Sequence, residues 1–231
     1  MAITVGIFAM SGGGKSTSLV INPDGKYDPA NYAGMDLKNT IYFNCDKKKP
    51  PFKSDDLVKG LNYFETSDSE TILKIMKSVS EKGLQYKAIV IDTINAVMVD
   101  KEMLESKKLT FDKWADLAKE IYEIISVANG LRDDLVVYLL GHITIYTDVD
   151  GNESKCLITN GKKLEKIKLE SKLPVVLFGT IERGNAGDNK HYFETQSYRS
   201  TAKTPLGMFK DFQIPNSLKL VDNKIREYYG I

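Results

Sequence analysis

Cysteine is nearly missing from this chain of 231 residues: two occur, Cys45 and Cys156, far apart and outside any C-x-x-C spacing. That excludes a disulfide scaffold and a cysteine-based structural zinc site, and points to a reducing compartment. An excess of one charge is missing too, since 32 basic residues face 31 acidic ones for a formal net charge of +1. Overall attraction to a polyanion is therefore absent, and any nucleic acid must be met by a local patch. No apolar run approaches the length of a membrane span, the longest being Leu135 to Leu140. The apolar start ITVGIFA lacks the basic flank and small-residue cleavage pattern of a secretory leader, so a cytoplasmic chain with no membrane partner is expected. Arginine is sparse, with only Arg132, Arg183, Arg199 and Arg226, widely scattered.

What is present is ordinary in bulk: 42% apolar and 27% charged residues suit a globular protein, and the length suits one α/β domain with a sizeable core. Ile3 to Ala9 reads as a strand, followed by a glycine loop and a short helix from Lys15 to Ile21, stopped near Pro23. TIYFN, residues 40 to 44, is a second strand ending in Cys45 and Asp46. Ser67 and Glu70 have capping-box spacing, and Ile72, Ile75, Met76 and Val79 follow at helical intervals up to Gly83. AIVI, residues 88 to 91, reads as a strand buried on both faces, with Asp92 at its end. Trp114, Leu117, Ala118, Ile121, Ile125 and Ala128 mark a long amphipathic helix, and Leu135 to Leu140 a further buried strand. Strands alternating with helices predict an α/β fold with a mostly parallel central sheet flanked by helices. After Gly141 two antiparallel hairpins are expected, ITIYT with SKCLIT and PVVLFGTI with HYFET, before a closing helix over 216 to 229. The division is a single domain over 1–231, with a nucleotide-binding α/β part over 1–142 and a hairpin-rich part over 143–231.

The stretch FAMSGGGKSTSL carries the chemistry. Ala9, Gly14, Lys15 and Ser16 match [AG]-x4-G-K-[ST], the Walker A pattern, which average usage yields by accident in about 2% of chains this long. In such a loop the amides of Ser11, Gly12, Gly13, Gly14, Lys15, Ser16 and Thr17 cradle phosphate, Lys15 reaches the β- and γ-oxygens, and the Ser16 hydroxyl coordinates Mg²⁺. ATP with Mg²⁺ is the expected ligand pair. Asp92 supplies the second magnesium carboxylate at the end of a buried strand. A GTPase is unsupported, because Thr93, Ile94 and Asn95 follow Asp92 where Asp-x-x-Gly is required, and no Asn-Lys-x-Asp occurs. A partition-type ATPase would need a lysine where Met10 stands. For hydrolysis the expected carboxylate is Asp46, at the end of the adjacent strand. Asp46 reads equally as the start of a solvated charged turn with Lys47 to Lys49.

The landmarks TIYFNCDKKKPPF, AIVIDT, VVYLLGH, TNGKKLEKIKLESKLPVVLFGTIE, YFETQSYRSTAKTPLGMF and IPNSL follow the loop in an order and spacing that covers almost the whole chain. Together they resemble the phage RecA-like ATPases of the Sak-type single-strand annealing group, often labelled AAA-type ATP-binding proteins. The resemblance implies a RecA-like P-loop core, ATP binding and hydrolysis, a homo-oligomer in ring or filament form, and a role in recombination or annealing of single-stranded DNA. A phage or host single-strand-binding protein is a further partner it implies. It makes Lys15, Ser16 and Asp92 the ATP and Mg²⁺ residues and puts Asp46 where that fold keeps its catalytic carboxylate, although the usual residue there is Glu. It implies that His142 senses the γ-phosphate and that Lys203, or else Arg199, enters a neighbouring subunit's site. Lys162, Lys163, Lys166, Lys168 and Lys172 lie where related proteins keep DNA-contacting loops; against Glu165 and Glu170 they leave a local excess of three charges. The same run reads as a solvated face, and Ile167, Leu169 and Leu173 alternate as in a strand.

Two other classes fit the glycine loop. A small-molecule or nucleotide kinase would want a lid with clustered arginines, which these four do not form. A non-hydrolysing nucleotide-dependent scaffold on DNA would not need Asp46 as a base.

Overall fold

The structure is a computed structural model and describes residues 1–104, 112–147, 151–159, 168–184 and 189–231. Among the described residues the strands are β1 (Ile3–Ala9), β2 (Thr40–Asn44), β3 (Tyr63–Phe64), β4 (Ala88–Asp92), β5 (Val136–Thr147), β6 (Glu153–Leu157), β7 (Val175–Arg183), β8 (Asn189–Glu194) and β9 (Gln213–Pro215). Its α-helices are α1 (Ser69–Lys82), α2 (Ile94–Leu104), α3 (Asp112–Gly130) and α4 (Leu218–Tyr229). The strand order is β3-β2-β4-β5-β1-β7-β8-β9, and β6 pairs with β5 off this path. Every pairing from β3 across to β7 is parallel, whereas β5–β6, β7–β8 and β8–β9 are antiparallel. The chain is thus an α/β fold with a mostly parallel central sheet flanked by helices and antiparallel strands in its C-terminal half.

Alternation along each strand splits the core into two layers. Ile89 and Ile91 of β4, with Val137 and Leu139 of β5, face α1 and α3 through Ile72, Met76, Ile121, Ile124 and Ile125. Ala88, Val90, Val136, Tyr138 and Leu140 face the other way, onto Leu19, Leu37, Phe209 and the Leu218, Val221 and Ile225 stripe of α4. Both faces are covered, so β4 reads as a continuous apolar run, as parallel strands must.

Three local expectations need correction. The helix expected from Lys15 to Ile21 shrinks to a single 3-10 turn over Thr17–Leu19. Pro23 and the turn at Gly25 follow too soon for a longer helix, and Ser217 Oγ caps the free carbonyl of Ile21 at 2.8 Å. The N-cap of α1 is Asp68, whose carboxylate accepts from the Thr71 amide at 2.8 Å, while Ser67 donates to Asp100 at 2.6 Å. A charged acceptor outcompetes the serine one residue earlier. Leu169–Lys172 is a 3-10 turn, with Leu169 and Leu173 buried, where alternation suggested a strand. Among the described residues, no helix is long and apolar enough to cross a membrane.

Candidate functional site

Strand β1 delivers the glycine loop at its C-terminal end, and the sheet decides what meets it. β5 lies between β1 and β4, with Ala9 in register with His142 and Leu140 with Asp92. The loop therefore sits over the ends of three buried strands. Its tight path depends on two glycines. Gly14 has φ +84, a left-handed conformation costly for any side chain, and a Cβ on Gly13 would stand 2.7 Å from the Ala9 Cβ and 2.9 Å from the Met10 carbonyl. The Gly13 amide closes the turn onto Met10 O at 3.0 Å.

Lys15 is only 7% exposed. Its Nζ donates to the carbonyls of Ala9 and Met10, each at 3.0 Å, and lies 3.3 Å from Nδ1 of His142. An ammonium can only donate, so Nδ1 is the acceptor and the histidine proton is on Nε2. Burial pulls the Lys15 pKa down to about 8, against the opposing pull of Asp92. Burial, then the Lys15 charge, lowers the His142 pKa as well, which keeps it neutral at neutral pH.

Ser16 Oγ donates to Asp92 Oδ2 at 2.6 Å, and the Tyr42 hydroxyl donates to the same oxygen at 2.5 Å. Burial raises the Asp92 pKa above the usual carboxylate value, and the two hydroxyls act in the opposite direction. The Asp92–Thr93 peptide bond is cis. Asp46, beyond the end of β2, has both oxygens engaged: Oδ1 accepts from Thr93 Oγ1 at 3.0 Å and Oδ2 pairs with Lys48 at 2.6 Å. A cavity of about 240 Å³ opens among Ser11–Thr17, Lys48, Lys49, Asp92, Thr93 and His142. The Ser16 hydroxyl and the Asp92 carboxylate form a hard-oxygen pair of the kind that holds Mg²⁺ together with phosphate oxygens, so the residues present fit that ion.

The structure thus brings together Ser11, Gly12, Gly13, Gly14, Lys15, Ser16, Thr17, Asp92 and His142, with Asp46 one residue away through Thr93 and Lys48. It keeps Lys203 apart. That residue bridges to Val176 of β7, level with Gly6 in the middle of β1 and short of the loop. Arg199 is exposed and stands over the Tyr198 ring, 5.9 Å from its centroid. Lys168 and Lys172 are exposed and lie over different rings, Tyr146 at 5.2 Å and Tyr122 at 5.5 Å. Lys162, Lys163 and Lys166 lie outside the described residues.

Three residues escaped the sequence reading. Tyr42 looks like core within TIYFN, and only the pairing of β2 with β4 puts it on Asp92. Asn95 accepts the His142 amide at 2.7 Å and donates to the Ile158 carbonyl at 2.9 Å, tying β4's exit to β5. Its one legible signal was a polar residue three positions beyond the strand-end aspartate. Lys48 looked like part of a solvated turn, yet it lines the cavity. A scan against protein-family models finds no match, and a search of curated proteins finds no relative.

Proposed function

We propose that this chain is a RecA-like ATPase that binds ATP with Mg²⁺ in the glycine-loop cavity and works on single-stranded DNA as a homo-oligomer, promoting annealing or strand exchange. The observation that carries the reading is the 2.6 Å contact between Ser16 of a Walker A loop and Asp92 at the end of a buried strand two places away in the sheet. The accompanying strand β5 adds His142 beside Lys15, a neutral group within reach of the phosphate end of a ligand. In this reading the triphosphate takes over the Lys15 ammonium from the Ala9 and Met10 carbonyls, and Ser16 and Asp92 would hold Mg²⁺, which would neutralise phosphate charge. Asp46 has one contact on each carboxylate oxygen, from Thr93 and from Lys48, and keeps further acceptor sites with which to orient an attacking water. The DNA and oligomer parts rest on the family resemblance and the lysine run alone.

Phosphate release from ATP, measured with and without single-stranded DNA and over a salt series, tests the whole reading. DNA-stimulated release that weakens steeply with salt supports it. Saturable binding without turnover favours the scaffold reading, to which the Asp46–Lys48 pair also lends itself. Phosphorylation of an added acceptor without DNA favours a kinase.

A further inference from the structure

Beside the phosphate cavity lies a larger one, of about 610 Å³, bounded by Thr17, Ile21, the 24–26 turn, β8 residues 189–192 and Pro215 with Asn216. Its size is that of a small-molecule pocket. It shares Thr17 with the phosphate cavity, so the two adjoin at the last residue of the loop. Among the described residues, four buried side-chain polar atoms lack a partner, and two of them belong to this wall: His191 Nδ1 and Asn216 Nδ2. Asn216 is only 3% exposed. Both side chains abut the loop itself, because a Cβ on Gly14 would lie 2.8 Å from Asn216 Oδ1 and 3.1 Å from His191 Nδ1. A buried amide donor with no acceptor is costly to maintain, and since its residue lines the cavity, a ligand acceptor there would offset that cost.

From these observations we infer that this second cavity takes the nucleoside half of the nucleoside triphosphate, with Asn216 Nδ2 donating to it and His191 as a second polar contact. The inference rests on the function proposed above. It also fits the direction of the loop: Lys15 and Ser16 face the terminal phosphates, so the other end of the ligand leaves past Thr17. Tyr192 and Pro215 sit opposite each other across β8 and β9 and give this cavity its apolar part. The polar and apolar walls together suit a base on its sugar.

The test compares Mg·ATP with Mg·tripolyphosphate by calorimetry on the full chain. Wild-type protein should bind both, ATP the tighter. Asn216→Ala and His191→Ala should each weaken ATP about tenfold, the worth of one lost hydrogen bond to a ligand, and leave tripolyphosphate unchanged. Asn216→Leu keeps most of the shape but removes the donor without adding charge, and should weaken ATP at least as much. Since Nδ2 has no partner within the protein, the Asn216→Ala melting temperature should stay at the wild-type value or rise. Equal wild-type affinity for the two ligands, or ATP binding untouched in all three variants while both ligands bind, overturns the nucleoside assignment alone. Failure of wild-type protein to bind either ligand overturns the triphosphate reading, and this one with it.

Discussion

The two halves of strands β5 and β7 make an instructive contrast. Up to Leu140 and Phe178 they run fully buried between two helical layers, whereas from Thr144 and Ile181 onwards they project into solvent as antiparallel hairpins with β6 and β8. The change falls at Gly141–His142 in one and Gly179–Thr180 in the other, level with the glycine loop. The glycine-loop cavity thus sits where the sheet leaves its core. Rigid buried strands fix the loop, Asp92 and His142, while the surface beyond is free to carry charge and aromatic side chains.

The seam between the two regions should be the most sensitive point. Lys15→Ala is expected to abolish Mg·ATP binding, read by calorimetry as loss of heat at millimolar ligand, with the fold retained by circular dichroism. Next comes the contrast itself. Ile91→Ala, at a position with no exposure, should cost about 2–5 kcal/mol in urea unfolding. Ile181→Ala, 44% exposed on the β7 extension, should stay within about 0.5 kcal/mol. Similar losses at both sites would erase the distinction. Tyr42→Phe sharpens it on the polar side, because it deletes one of two hydroxyls on the buried Asp92 carboxylate. We expect about 1–3 kcal/mol of destabilisation in the same assay.

The smallest effect is a proton. With its pKa lowered to about 8, the buried Lys15 holds its proton less tightly than in the unfolded chain. Its burial penalty is therefore present in full below about pH 8 and relieved as the pH rises from there towards the ordinary lysine value of 10.5. A bound triphosphate reverses the shift, so binding must take up protons. Calorimetry at pH 8 in buffers of different ionisation enthalpy should give uptake of roughly half a proton per site, falling towards zero at pH 6.5. No uptake at pH 8 would mean that Lys15 does not meet the anion.

The sequence made some of this architecture legible for a physical reason. Buried parallel strands such as AIVI and LVVYLL are unbroken apolar runs, and the glycine loop has a spacing that few other structures require. Hairpins were readable from Gly151 and from the glycines of 184–188 between alternating segments. Strand order was not readable, because it depends on contacts between residues far apart in the chain. Hence Tyr42, Asn95 and Asn216 stayed hidden: each acquires its role from a partner on another strand or loop. The 3-10 turn after the loop has a local cause: Pro23 and the turn at Gly25 shorten the helix from the seven residues of 15–21 to the three of Thr17–Leu19.

Ala9 stands where many loops of this pattern have glycine, and the fold makes room by removing side chains elsewhere. Its methyl group fills the gap left by Gly13 and Gly179, where an added Cβ would come within 2.7 Å of it, and the Gly13 carbonyl would be 2.9 Å from one on Gly179. The glycine loop and the β7 backbone are consequently in direct abutment with no slack between them. A side chain at Gly13 or Gly179 would have to push the loop and β7 apart, so the position of the loop is set by the strand on which the solvent-facing hairpin is built.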